Sequence, residues 1–177
     1  MKKLKAISLL CLLCGVIFLV GCNGNEVDGS EVTLNDGEAN VTKEMHDVIS
    51  DYIVEKYASL AYPTEKQFEV HKIYGTSESN GVISVYMWSF FAGFNKATGL
   101  EEQTGHSLPA VIRLSKNNNQ YKVIEYIEPQ DGSMYVSSLE KMFPTKYVKY
   151  AQQDAGNIDD LQKEMDQKVK KWLETQE

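Results

Sequence analysis

Hydrophobic residues follow three different patterns along the chain. An uncharged run extends from Ala6 to Val20. Apolar residues then recur every three or four positions in two segments, from about Thr42 to Ala61 and from Ile158 to Trp172, and this spacing predicts amphipathic helices. Between these segments, apolar residues alternate with polar ones or form continuous runs, which is typical of strands. The sequence therefore predicts a helix, then a sheet, then further helices.

The first predicted helix has a single apolar stripe. Thr42 is a suitable N-cap, Glu44 complements the helix N-terminus, and Pro63 marks the end of the helix. The stripe consists of Met45, Val48, Ile49, Tyr52, Ile53, Tyr57 and Leu60. One stripe of this kind indicates a helix that packs on a sheet through one side only.

The central part of the chain predicts four antiparallel strands. The segment from Val82 to Phe94 is apolar on both faces, which favours a central position in the sheet. Residues from Lys96 to Ser107 are polar and predict a long exposed connection. The strands are expected at 67–76, 82–94, 108–114 and 121–127. Their order along the chain predicts a meander.

The last predicted helix has a narrow apolar stripe formed by Ile158, Leu161, Met165, Val169 and Trp172. This spacing fits a helix that docks on its own domain and also fits a seam for a partner helix. The fold class is α+β, with an N-terminal helix packed on a four-stranded antiparallel sheet and with C-terminal helices after it. This element order resembles the cystatin-like and NTF2-like architectures.

The uncharged N-terminal run has the features of a secretory signal peptide. Three lysines precede it, and it is shorter than the roughly 20 apolar residues needed to span a membrane. The tetrapeptide from Leu19 to Cys22 resembles the lipobox of bacterial lipoproteins, in which the signal peptide is cut before a diacylglyceryl-modified cysteine. The resemblance implies lipidation of Cys22 and attachment to the cell membrane through acyl groups, facing outside the cytoplasm.

These boundaries divide the chain into a signal peptide at 1–21, an acidic flexible tether at 22–41 and one α+β domain at 42–177. If the tether is a flexible coil, about 19 residues have a root-mean-square end-to-end distance of roughly 24 Å. Cys11 and Cys14 would be removed with the signal peptide, and an acylated Cys22 cannot form a disulfide. The mature domain is therefore expected to be stabilised by packing alone.

The chain is acidic, with a net charge of −7. Removal of residues 1–21 takes away three lysines and no acidic residue, which gives about −10 for the mature chain. Binding to nucleic acid requires clustered Lys and Arg, and Arg113 is the one arginine. The composition therefore excludes a nucleic-acid partner and leaves the acyl groups as the membrane attachment.

The sequence contains no recognisable catalytic, metal-binding or cofactor motif. H-E-x-x-H, G-x-S-x-G and glycine-rich phosphate loops are absent. The three histidines lack a ligand spacing, and His106, beside Glu101 and Glu102, is expected to be solvated in the long connection. We therefore predict no catalytic residue, no metal ligand and no cofactor.

The aromatic residues of the central strand allow two interpretations. Tyr86, Trp88 and Phe90 lie on one face of the predicted strand. They could form part of the core, which a domain without disulfides needs, or line a small apolar binding pocket. The sequence leaves both open.

Three short segments carry a family resemblance, namely 121–126 (YKVIEY), 129–135 (PQDGSMY) and 142–144 (MFP). They resemble a domain of small Gram-positive secreted lipoproteins, which is also appended to membrane zinc peptidases of the antibiotic-sensor type. The similarity spans 67–150 and implies a location outside the cell and a sensing or accessory role. Asp131 and Tyr135 lie in it and are candidate binding residues.

The function predicted from the sequence is a non-enzymatic binding or accessory module, anchored by lipid outside the cytoplasm and recognising an envelope protein or component. The alternative is a small-ligand-binding or hydrolytic domain that uses an aromatic pocket on the sheet.

Overall fold

The strands pair in the order in which they follow one another along the chain. A computed structural model describes residues 33–118 and 120–175. Within them, one antiparallel sheet contains β1 (Leu34–Asp36), β2 (Lys66–Ser79), β3 (Val82–Phe94), β4 (Thr104–Asn117) and β5 (Gln120–Ile127). β3 is the middle strand, as its two apolar faces predicted. The predicted signal peptide and Cys22 lie outside the described residues.

Helices cover both faces of this sheet. On one face lies α1 (Lys43–Ala58), and on the other lie α2 (Tyr135–Met142), α3 (Thr145–Asp154) and α4 (Asp159–Glu174). No helix in the described ranges is long and apolar enough to cross a membrane. The α+β class, the leading helix and the C-terminal helices are confirmed.

α1 forms where its apolar stripe and its cap predicted it. The Thr42 hydroxyl accepts a hydrogen bond from the Met45 amide at 3.3 Å, which satisfies one of the free N–H groups at the helix N-terminus. Met45, Ile49 and Ile53 are at most 1% exposed. They pack on the inward residues of β2, β3 and β4 and form the first of two core clusters.

α4 docks on its own domain through the predicted stripe. Leu161, Met165 and Val169 are buried in the second core cluster, together with residues of β2, β3, α2 and α3. This burial decides between the two interpretations of the stripe. The apolar side of α4 is used within the chain.

A fifth strand corrects the predicted number of four. β1 lies in the segment assigned to the tether and pairs with β2, where Leu34 is opposite Ser77. Lys146 and Tyr147 both donate hydrogen bonds to the Asp36 carboxylate. At Gly75, a Cβ would collide with the Tyr147 hydroxyl and the Asn35 carbonyl oxygen. β1 has no hydrophobic pattern, and distant partners hold it in place.

β4 starts earlier than the sequence predicted. It begins at Thr104 instead of Leu108, so the expected long exposed connection ends at Gln103. Gly105 and His106 pair with Ala92 and Phe91 of β3. β4 extends into a polar stretch because β3 continues to offer backbone hydrogen-bond partners there. The alternation of apolar and polar residues within β4 does not reveal such partners.

Candidate functional site

A polar cluster interrupts the apolar interface between α1 and the sheet. Strand alternation places Glu69 and His71 of β2 on the face towards α1. Ser89 of β3 is directly opposite His71 in the register. On α1, His46 and Ser50 are four residues apart and therefore share one side of the helix. These five side chains meet although they come from three separate elements.

Glu69 is the centre of the cluster and is 2% exposed. Its carboxylate accepts hydrogen bonds from Ser50 Oγ at 2.8 Å, Ser89 Oγ at 2.8 Å and His71 Nδ1 at 2.9 Å. Burial alone would raise the pKa of Glu69, but the charge of His71 and the three hydrogen bonds outweigh burial, so the pKa lies below its usual value. The carboxylate therefore stays ionised inside the fold.

The second nitrogen of His71 connects this carboxylate to His46. His71 Nε2 and His46 Nδ1 are 2.7 Å apart, and the two rings are parallel within 10°. His71 is buried, whereas His46 is half-buried. Burial, followed by the charge of His71, lowers the pKa of His46. Together the three residues form what we call the Glu69–His71–His46 relay, which runs from the core to the surface.

The relay opens into a cleft between α1, β2 and α4 with a volume of about 630 Å³, named here the α1–β2–α4 cleft. Besides Glu69, its acidic lining residues are Glu38, Asp47, Asp51, Glu55 and Glu164. Its lysines are Lys66 and Lys168. The walls are therefore strongly acidic, which favours positively charged groups in the cleft.

α4 closes the backbone edge of β2 at the floor of this cleft. Lys168 Nζ donates a hydrogen bond to the Glu69 carbonyl oxygen at 2.9 Å and lies 3.8 Å from the Glu164 carboxylate. Glu69 and Val70 are 2% and 1% exposed. A ligand would therefore contact side chains of α1, β2 and α4, because the strand backbone is covered.

His106 was predicted to be solvated, and the structure corrects this. Its ring stacks on Phe91 with the centroids 5.4 Å apart and packs against Tyr57 at 4.1 Å. Its Nε2 atom is buried without a hydrogen-bond partner. Burial lowers the pKa of His106 to about 4. The extension of β4 turns this side chain towards α1 and away from the acidic loop.

The three aromatic candidates on β3 are core residues. Tyr86, Trp88 and Phe90 are 9%, 4% and 3% exposed and pack beneath the C-terminal helices. Trp88 Nε1 donates to Ser107 Oγ at 2.7 Å. Each of the three lines a different depression. This decides the question that the sequence left open in favour of the core.

Asp131 and Tyr135, the two candidates from the strand-to-helix corner, lie apart from the α1–β2–α4 cleft. Asp131 is exposed and precedes a short 3₁₀ turn, Gly132–Met134. Tyr135 begins α2, is half-buried against the second core cluster, and has a pKa raised by burial. The structure brings neither of them to the polar cluster.

Sequence reasoning missed the relay, although a signal was present. His46 and Ser50 share one helix side next to the buried stripe. Glu69 and His71 share the same face of β2. Two polar residues at alternate positions on a strand face that packs on a helix indicate a buried polar cluster. This pattern could have predicted that the two strand residues contact the polar residues of α1.

Comparisons of the chain with protein-family models, with curated proteins and with solved structures find no match. The function is therefore inferred from the geometry of the α1–β2–α4 cleft.

Proposed function

We propose that this chain is a lipid-anchored extracytoplasmic module that binds a ligand in the α1–β2–α4 cleft. The observation that carries the proposal is the Glu69–His71–His46 relay at the floor of the cleft. A buried ionised carboxylate contributes less to stability than apolar packing of the same volume would. Perturbed titratable groups in a cleft are typical of functional sites.

The dimensions of the cleft favour a small ligand. Sites for small molecules are concave and have volumes of about 300–1,000 Å³, and the cleft has about 630 Å³. The proposal keeps the ligand-binding alternative from the sequence. It assigns the ligand site to the cleft instead of to the aromatic residues of β3. The helix followed by a meander also supports the cystatin-like or NTF2-like analogy as a proposal.

A thermal-shift screen against envelope fragments and antibiotics tests the ligand site. At a concentration of 100 times Kd, a ligand stabilises the folded state by about 2.7 kcal/mol, which corresponds to a rise in Tm of about 5–10 °C for a domain of this size. We expect this rise for the unmodified chain. Asp51→Trp, which fills the cleft from the exposed side of α1, should abolish it.

Glu140→Trp is the matched control for this screen, because Glu140 is exposed on α2 and is not a lining residue of the cleft. It should respond as the unmodified chain does. A ligand that shifts Asp51→Trp as much as Glu140→Trp would place the site elsewhere. A screen without any ligand-dependent rise would contradict the proposal.

The lipid anchor has its own test. Growing cells should incorporate radioactive palmitate into the chain, and Cys22→Ala should abolish the label, because two acyl chains on this one residue would provide the stable membrane attachment. Because the signal peptide is cut before the modified cysteine, the variant should also accumulate as the uncleaved precursor, which gel electrophoresis distinguishes from the mature chain. Persistent labelling of the Cys22→Ala variant would show that the anchor assignment is wrong.

A further inference from the structure

We propose that the ligand of the α1–β2–α4 cleft is a small organic cation, whose ammonium group donates a hydrogen bond to His46 Nε2. This inference rests on the proposed function and specifies the class of its ligand. Three features of the described residues carry it: the hydrogen-bond order of the relay, the charge of the walls and the size of the cleft.

In the state in which both histidines are neutral, the relay fixes which nitrogen of His46 accepts a hydrogen bond. An ionised Glu69 can only accept, so His71 Nδ1 must carry a proton towards it. In a neutral His71, Nε2 is then an acceptor, and it accepts a hydrogen bond from His46 Nδ1–H. A neutral His46 has one ring proton, so its Nε2 offers a lone pair. No hydrogen bond within the described residues uses that lone pair.

The charges around His46 favour a positive partner for this lone pair. From α1 come Asp47, Asp51 and Glu55, from the segment before α1 comes Glu38, and from α4 comes Glu164. The opposing charges are Lys66 of β2, Lys168 of α4, which lies 3.8 Å from Glu164, and Lys43 of α1, which pairs with Asp47 at 2.6 Å. The five carboxylates and the ionised Glu69 outnumber these three lysines, so the potential in the cleft is negative and concentrates cations.

The size of the cleft and the arrangement of its ligating groups favour an organic cation over a metal ion. The volume of about 630 Å³ is that of a site for a small molecule. Within residues 33–118 and 120–175, no group of three or more His, Cys, Asp or Glu side chains is arranged to hold a metal ion.

Protonation of the relay changes what His46 offers to the ligand. When His46 Nε2 takes up a proton from the cleft, the Nδ1 proton can move to His71 Nε2. The added positive charge then lies on His71, beside the ionised Glu69. One proton therefore converts His46 Nε2 from an acceptor into a donor, and a bound ammonium group would face an N–H group. Binding of a cation should weaken as the pH falls.

Three four-carbon probes of different charge test this inference: 1,4-diaminobutane, 1,4-butanediol and succinate. Isothermal titration calorimetry is carried out on the full-length protein purified from membranes in detergent. At pH 8, we expect the diamine to bind and the diol and succinate not to bind. The affinity for the diamine should fall at least about tenfold at pH 5.5, since a hydrogen bond to a charged group is replaced by repulsion.

Two variants locate the effect at His46. His46→Phe keeps an aromatic ring against His71 but removes the acceptor, so the affinity for the diamine should fall about tenfold or more and become independent of pH. Glu140→Gln, which removes an exposed carboxylate outside the cleft, should leave both the affinity and its pH dependence unchanged. An equal loss in both variants would show that general electrostatic attraction explains the binding.

A measurement on the unmodified chain keeps the inference testable if His46→Phe does not fold. At pH 6.5, binding of the diamine should release protons, so the measured heat should depend on the ionisation enthalpy of the buffer. A heat that is independent of the buffer would overturn the proposed role of the relay.

The outcomes separate this inference from the proposed function. Binding of succinate or butanediol, lost in Asp51→Trp, would overturn the choice of a cation and leave the cleft as the ligand site. Binding of Zn²⁺ that requires His46, without binding of the diamine, would replace the organic cation by a metal. If none of the three probes binds, the cation inference is wrong. The thermal-shift screen then tests separately whether the cleft binds a ligand.

Discussion

Replacing Glu69 with alanine should lower the free energy of unfolding by about 3–5 kcal/mol, the usual cost of removing one partner of a buried charged pair. The Glu69 carboxylate has three hydrogen-bond donors within 2.9 Å. Without it, Ser50, Ser89 and His71 lose their acceptor in a place that water reaches poorly, and a cavity remains beneath α1. Urea unfolding at pH 7, followed by circular dichroism, measures the change.

Two further variants show whether the network is the cause of this loss. Glu69→Gln keeps the size of the side chain, but its NH₂ group would face the hydrogen-bond donors around it. The free energy of unfolding should therefore fall by about 1–3 kcal/mol. Glu78→Ala removes an exposed carboxylate from the same strand and should stay within about 0.5 kcal/mol of the unmodified chain. A loss below about 1 kcal/mol for Glu69→Ala would mean that the three hydrogen bonds are not formed in solution.

Mild acid should destabilise the fold through His106. The unfolded chain protonates histidine at a pKa of about 6.5, whereas burial holds the pKa of His106 at about 4 in the folded state. The unfolded state therefore binds more protons between these two values, and stability falls as the pH falls from about 6.5 to about 4. The ring is only partly buried, and solvent screening reduces the effect, so we expect a loss of about 1–2 kcal/mol between pH 7 and pH 5.

His106→Leu should remove this part of the acid sensitivity and keep the apolar contacts with Phe91 and Tyr57. Urea unfolding of both proteins at pH 7 and pH 5 gives the difference. His46, whose pKa is also lowered by burial and by the charge of His71, adds a loss in the same direction that remains in the variant. NMR titration of the His106 ring gives a direct check: a midpoint near 6.5 instead of about 4 would refute this explanation.

The elements that the sequence predicted have a regular pattern of their own. α1 has its stripe and the Thr42 cap, β3 has two apolar faces, and α4 has a stripe of three- and four-residue steps. In each, local backbone geometry fixes which side chains share a face, so the pattern alone indicates what will be buried. The aromatic residues of β3 show the limit of such patterns. A row of large side chains predicts burial but does not show whether helices or a ligand cover it.

β1 and the start of β4 could not be predicted because their pairing partners determine them. Leu34–Asp36 has no alternation, and β1 forms because β2 offers an edge and because α3 supplies Lys146 and Tyr147 as partners for Asp36. β4 begins in a polar segment because β3 continues beside it. Strand formation in both depends on backbone hydrogen bonds to residues that are distant in sequence.

By itself, the sequence determined the α+β class, the helix that precedes the sheet, the central position of β3 and the apolar side of α4. The tertiary structure alone decided that His46, Glu69 and His71 form one relay, because these residues lie on two elements and meet only when α1 docks on the sheet. Periodicity places a side chain on a face, but the contact between two faces depends on the packing of the whole domain.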